Sequence, residues 1–154
     1  CDFACSASRF VAAHHGLGAA LRMRFRGLAP PEGAACELIL QLDAEQGLSV
    51  EEQTTLLRVA EEAVAQVMRE GSREVRVMLR RSRLGSVELS IGGGGGVASQ
   101  EEVAASFRCL ATIRRLAARS GGRLSVRRQA DGSLFVRCAT RWPEGETGRW
   151  VAPR

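Results

Sequence analysis

Residues 48 to 71 read LSVEEQTTLLRVAEEAVAQVMREG, and how this stretch folds decides the architecture of the chain. Ser49 followed by Glu52 has the spacing of a capping box, in which hydroxyl and carboxylate reciprocally satisfy the first free amides of a helix. Leu56, Ala60, Ala63, Val64 and Val67 then recur at three and four residues. That periodicity predicts a helix from Val50 to Glu70 with one apolar face and with Glu61, Glu62, Arg69 and Glu70 at its margins or in solvent. Gly71 ends it as a left-handed cap would. Two alternating segments follow, Glu74 to Arg80 and Val87 to Ile91, which read as strands, and then the run Gly92 to Gly96, which reads as a glycine loop.

Upstream, residues 1 to 8 carry no pattern, while Phe10, Ala13, Leu17, Ala20 and Leu21 trace a helical stripe that continues to Phe25. GLAPPEGA, Gly27 to Ala34, is a linker by its prolines and glycines. Cys36 to Leu42 reads as a strand with Cys36, Leu38, Leu40 and Leu42 on one face and Ile39 on the other, and Asp43 to Gly47 turns into the central helix. Downstream, Ser99 and Glu102 repeat the capping-box spacing ahead of the stripe Val103, Phe107, Leu110, Ile113 and Ala117, which stops at Gly121 and Gly122. Arg123 to Arg128 and Ser133 to Thr140 form two further strands joined through Ala130, Asp131 and Gly132, a hairpin signal.

The order of elements predicts an α/β two-layer sandwich, three helices on one face of a mixed five-stranded sheet. Leu56, Ala60, Ala63 and Val67 should pack on a sheet face made by Leu38, Leu40, Val77, Leu89 and Ile91. Residues 1–8 are then a disordered or upstream linker, 9–141 one domain, and 142–154, with Trp142, Pro143, Trp150 and Pro153, a loosely held tail.

Composition agrees with one domain: 154 residues with 45% hydrophobic content suffice for a single core. No apolar run approaches the ~20 residues of a membrane span, so no membrane contact is expected of this fragment, and a cytoplasmic setting is. A chain starting at Cys1 suggests a piece of a longer protein. The five cysteines, Cys1, Cys5, Cys36, Cys109 and Cys138, form no CxxC pair, which points to reduced thiols. Cys1 and Cys5 with His14 and His15 match no common zinc spacing. The net charge of +5 comes from arginine alone, because the chain has no lysine.

Several phrases carry a resemblance. GLGAALR, Gly16 to Arg22, resembles the GLxxALR with which the catalytic domain opens in sensor histidine kinases of the nitrate-sensor type. LLRVAEEAVAQVMREG resembles their N box, LxRIxQEALxNxxKHA, and LATIRRLAARSGGRLSV, Leu110 to Val126, resembles the GLxxMRERVxxLGGxLxx that follows the ATP lid. The resemblance spans roughly residues 16 to 141 and implies the ATPase fold shared with gyrase and Hsp90. It also implies ATP with magnesium as ligand, an upstream dimerisation segment or another signalling protein as partner, and a role in two-component signalling.

The same comparison marks departures. Register places Gln66, after Glu62 and Ala63, where the family presents the asparagine that ligates magnesium, and glutamine carries its oxygen one methylene farther out. Gly92 to Gly96 stand in place of a DxGxG loop whose aspartate reads adenine, and the chain has no acidic residue between Glu88 and Glu101. Ser106 to Leu110, SFRCL, replaces the glycine-rich phosphate cradle. Glu62, Gln66, Arg69, Gly93 and Gly95 therefore stand as a vestigial nucleotide site. No cofactor is expected, no catalytic residue is assigned, and the expectation is a degenerate domain acting as a binding or regulatory module. The alternative is a divergent catalytic domain that still binds nucleotide. HHGLG, beginning at His14, is superficially similar to the HDxLG around the family's phosphoacceptor histidine, but lies only about fifty residues before Gln66, too near for the separate hairpin that carries it. Without that hairpin the fragment is expected to be monomeric.

A nucleic-acid-binding module is the rival, motivated by arginines at 80, 81 and 83, at 114 and 115, and at 123, 127 and 128. With 5% aromatic residues there are few stacking platforms, so these runs are better read as solvated faces.

Overall fold

The computed structural model of the protein describes residues 11–12, 14–26, 35–41, 43–69, 71–83, 85–93, 111, 114–115, 117–118, 121–128 and 134–140. In chain order its elements are α1 (Leu17–Arg26), β1 (Ala35–Leu40), α2 (Val50–Arg69), β2 (Glu74–Arg81), β3 (Val87–Gly93), β4 (Arg123–Arg128) and β5 (Leu134–Ala139). The strands make one mixed five-stranded sheet in the order β1-β2-β3-β5-β4, with β1 parallel to β2 and every other pair antiparallel. Parallel neighbours cannot be joined by a tight turn, and α2 is the crossover that carries the chain from β1 to β2.

Both ends of α2 are closed as its sequence predicts. The Ser49 amide donates to Glu52 Oε2 at 2.7 Å and the Glu52 amide to Ser49 Oγ at 3.1 Å, the reciprocal pair of a capping box. At the other end Gly71 takes φ +81°, its amide donates to the Met68 carbonyl at 3.0 Å, and the Ser72 amide reaches back to the Val67 carbonyl at 3.3 Å. This is a Schellman closure, which uses a left-handed glycine to satisfy the last carbonyls.

Residues Leu56, Leu57, Val59, Ala60, Ala63, Val64, Gln66 and Val67 of α2 are all buried, about half of the helix circumference at 100° per residue. That is wider than the stripe expected, because α2 packs on α1 as well as on the sheet, and Arg24 Nε of α1 donates to Glu61 Oε1 of α2 at 2.7 Å. Beneath it the ladders align apolar residues in rows across all five strands. Leu38, Val77, Ile91, Val136 and Val126 are successive partners, as are Leu40, Leu79, Leu89, Cys138 and Leu124. The expected packing of Leu56, Ala60, Ala63 and Val67 over Leu38, Leu40, Val77, Leu89 and Ile91 holds within one continuous core.

Four expectations are corrected or bounded. The first helix is not continuous: residues 11–12 and 14–15 are helical, but Gly16 takes φ +87° and α1 restarts at Leu17. The reason is tertiary. The Glu45 carboxylate, from the turn before α2, accepts from the Gly18 amide at the start of α1, and a β-carbon on Gly16 would lie 2.6 Å from Glu45 Oε1. β1 ends at Leu40, since Asp43 at φ +58° already belongs to the turn. Gly92 and Gly93 are strand residues, the last of β3, and not the opening of a loop. Two continuous helices are present among the described residues in place of three. Of the third, residues 111, 114–115 and 117–118 are helical, with Ala117 in the core, while Val103, Phe107, Leu110 and Ile113 lie outside the described residues, as do the Asp131 turn, residues 1–8 and the tail.

Arg81 fastens the turn that supplies Glu45. Its guanidinium donates to the carbonyls of Gly85, at 3.0 Å, Ala44, at 3.2 Å, and Gln46, and its amide takes Gln41 Oε1 at 3.0 Å.

Truncating Leu56, which is 1% exposed, to alanine is expected to cost about 2–5 kcal/mol in chemical denaturation, and a near-neutral result would contradict this packing. Burial pushes the Cys138 thiol from 9.0 up to about 12. The folded state then holds a proton that the unfolded chain releases, so this group's contribution is full below pH 9.0 and is lost as pH rises toward about 12. Cys138→Val should flatten that part of the stability profile, measured as denaturation midpoints from pH 8 to pH 11.

Candidate functional site

The expected site residues lie along the C-terminal half of α2 and the end of β3. Arg58, Glu62, Gln66 and Arg69 are spaced four, four and three residues apart, which puts their side chains on one flank of the helix. The backbone that holds them is stiff here, since the Schellman turn at Gly71 ties the helix end to the start of β2.

Glu62 and Arg69 are exposed, as expected of the helix margin, but Gln66 is not a margin residue: it is 5% exposed. Its Oε1 accepts a hydrogen bond from Arg69 Nη2 at 3.0 Å. A magnesium ion placed on that oxygen would sit within a few ångströms of a guanidinium bonded to the same atom, an electrostatic penalty that an asparagine without such a neighbour would not carry. Arg58 Nε is buried and has no hydrogen-bond partner among the described residues. Sequence reasoning passed over Arg58 as a site residue although it lies on the same flank, one turn before Glu62.

Gly93 closes the sheet side of this region. By register it continues the row Cys36, Val75, Gly93, so its missing side chain would point toward α2. A β-carbon built there would lie 2.0 Å from Val67 Cγ1 and 2.6 Å from Ser72 Oγ. No side chain fits without moving the end of the helix away. Gly92 points to the other face, where the Phe135 ring crosses it, with a β-carbon 2.7 Å from the ring. The two glycines are thus there for close packing, one against a helix and one under a ring. Gly95, expected beside Gly93, lies outside the described residues.

His14 and His15 are exposed and helical, upstream of α1 and away from Gln66 in sequence. Among the described residues no three His, Cys, Asp or Glu side chains come together as a metal site. No described helix is long and apolar enough to cross a membrane.

No protein-family model matches the chain and no curated protein is significantly similar to it in sequence. Solved structures do match. The histidine kinase domain of the Escherichia coli osmosensor EnvZ is 15% identical, with a TM-score of 0.58, over 90% of this chain and 93% of that one. The Acinetobacter baumannii histidine kinase AdeS is 10% identical, with a TM-score of 0.58, over 88% and 74%. The ATP-binding domain of PrrB from Mycobacterium tuberculosis is 21% identical, with a TM-score of 0.50, over 73% and 83%.

The chain has the fold of the histidine-kinase ATP-binding domain. At these identities the likeness is one of fold, and it accounts for the layout of the histidine-kinase-like sheet: one parallel pair spanned by a helix, then antiparallel strands. The chemistry of the site has to be argued from its own residues.

Gly93→Ala should lower stability by about 1–3 kcal/mol, because the added carbon overlaps Val67. Combining it with Val67→Ala should cost less than the sum of the two single changes. Strict additivity in that double-mutant cycle would show that the close approach does not constrain the site.

Proposed function

We propose that the chain is a histidine-kinase-like ATPase domain of the nitrate-sensor type whose nucleotide site is degenerate. It works as a binding or regulatory module in a two-component or related signalling protein in the cytoplasm, beside an upstream dimerisation segment or another signalling protein. The observation that carries this reading is the pairing of Gln66 with Arg69: the only amide at the magnesium-ligand position is 5% exposed and already accepts from a cation. The filled space at Gly92, which stands at the register position of the adenine-reading aspartate, supports it, since a β-carbon there would lie 2.7 Å from the Phe135 ring. The sequence SFRCL at Ser106 to Leu110 adds the loss of a glycine-rich phosphate cradle.

Each such interaction is worth on the order of 1–3 kcal/mol, so the three losses together remove roughly 10³-fold or more in affinity. The second reading is a divergent catalytic domain that still takes ATP with magnesium. It is favoured by Arg58 and Arg69, two guanidinium groups on the flank that would face phosphates, and by the likeness to a domain named for ATP binding.

Calorimetry with ATP, ADP and GTP, with and without magnesium, separates the two. No heat for any of the three, with an unchanged melting temperature, is expected. Micromolar, adenine-selective affinity would establish the second reading and overturn the first.

A further inference from the structure

Both described helices lie on one face of the sheet, and the residues of the opposite face have an uneven charge. Alternation and register assign to it Arg76, Arg80, Arg123, Arg127 and Arg137 against three carboxylates, Glu37, Glu74 and Glu88. Five arginines against three glutamates leave +2, out of +5 for the whole chain. The face is therefore net positive, and it gathers five of the protein's arginines on one surface.

Three of these arginines, Arg76, Arg80 and Arg137, are held by ion pairs. Glu88, with its side chain 4% exposed, lies between Arg80 at 2.9 Å and Arg137, while Arg76 bonds Glu37 across β1 and β2 at 2.6 Å. Guanidinium groups tethered this way stay flat over the strands, and less rotamer freedom is lost when a partner binds. Between them is an apolar strip: Ile39, 38% exposed, its ladder partner Met78, half-buried, and the half-buried Phe135 ring, which lies across Gly92. Arg76, Gly92, Phe135 and Arg127 are consecutive partners across four strands, so the ring has an arginine on each side.

We propose that this sheet face is a docking surface for an acidic protein partner. It rests on reading the chain as a binding module and names the surface through which that module acts. An apolar centre of phenylalanine, methionine and isoleucine rimmed by arginine has the composition of a protein interface. Nucleic acid is disfavoured because single strands are held on several successive aromatic platforms, whereas this face offers Phe135 alone and sets three carboxylates among its arginines. A second copy is disfavoured because two faces of net positive charge repel. Five strands about 4.8 Å apart and some six residues long give a footprint of roughly 400 Å², about half of what each side of a stable complex buries, so the contact is transient and salt-sensitive.

The test uses the full chain and a fluorescent peptide of alternating glutamate and leucine, followed by anisotropy, with a thymidine oligonucleotide as the competing probe. The double change Arg76→Glu with Arg127→Glu should weaken peptide binding by about tenfold or more, whereas Arg83→Ser, an exposed arginine in the β2–β3 turn, should leave it unchanged. Glu37→Gln, which removes a carboxylate from the face, should tighten binding about twofold or more, so the proposal stays testable where the double change unfolds the chain. Peptide binding indifferent to these changes, tighter binding of the oligonucleotide, or self-association that follows the same charge dependence would each overturn it. Repeating the titration with ATP and magnesium distinguishes the two readings: nucleotide heat with the charge dependence intact ends the degenerate-site reading and leaves the surface standing.

Discussion

The approach of α2 to the end of β3 governs the rest of this structure. At Gly93 the helix comes so near the strand that Val67 and Ser72 fill the volume a side chain would need, and the Schellman turn holds that helix end down. The distance is set by two small features: a glycine with no side chain and a helix face of alanines, Ala60 and Ala63, between larger residues. With the helix this close, Gln66 is carried into the interior and has to be satisfied there, which Arg69 does. The packing geometry and the state of the candidate site are thus one fact seen from two sides.

A second constraint operates at the other end of the helix layer. The turn between β1 and α2 sends Glu45 to the start of α1 and receives the Arg81 guanidinium on its carbonyls. A carboxylate at a helix N-terminus meets free amides and the positive end of the helix dipole, so Glu45 orients α1 against the sheet at the point where Gly16 interrupts the helix upstream. Arg81 bonds the Ala44 and Gln46 carbonyls of that turn, beside the turn's own backbone hydrogen bonds from the amides of Ala44, Gln46 and Leu48. Long-range polar contacts of this kind hold the two layers in register, while the apolar rows beneath α2 provide the driving force.

The two sheet faces divide the work. The helix-facing side carries apolar rows across all five strands, and the opposite side pairs most of its charges across neighbouring strands. Because the period of a strand is two residues, one sequence of alternating residues writes both surfaces at once, and a slip of one residue would bury Arg76 and Arg137 beneath α2.

Sequence alone determined what depends on local spacing. The capping box at Ser49 and Glu52, the left-handed cap at Gly71, the periodicity of α2 and the alternation of the strands were all legible, because each is written within a few residues and obeys helix or strand geometry. The place of Gln66 on the central helix was legible too, though whether its side chain faced solvent was not. Tertiary structure decided the break at Gly16, caused by a carboxylate 29 residues away at Glu45, and the extension of β3 through Gly92 and Gly93, where a glycine run mimics a loop but packs as strand. It also decided the burial of Gln66 and the gathering of arginines from β2, β4 and β5 on one face. These depend on which distant segments meet, and no local pattern encodes that; the side chain that Gly93 lacks acquires meaning only once Val67 lies against it.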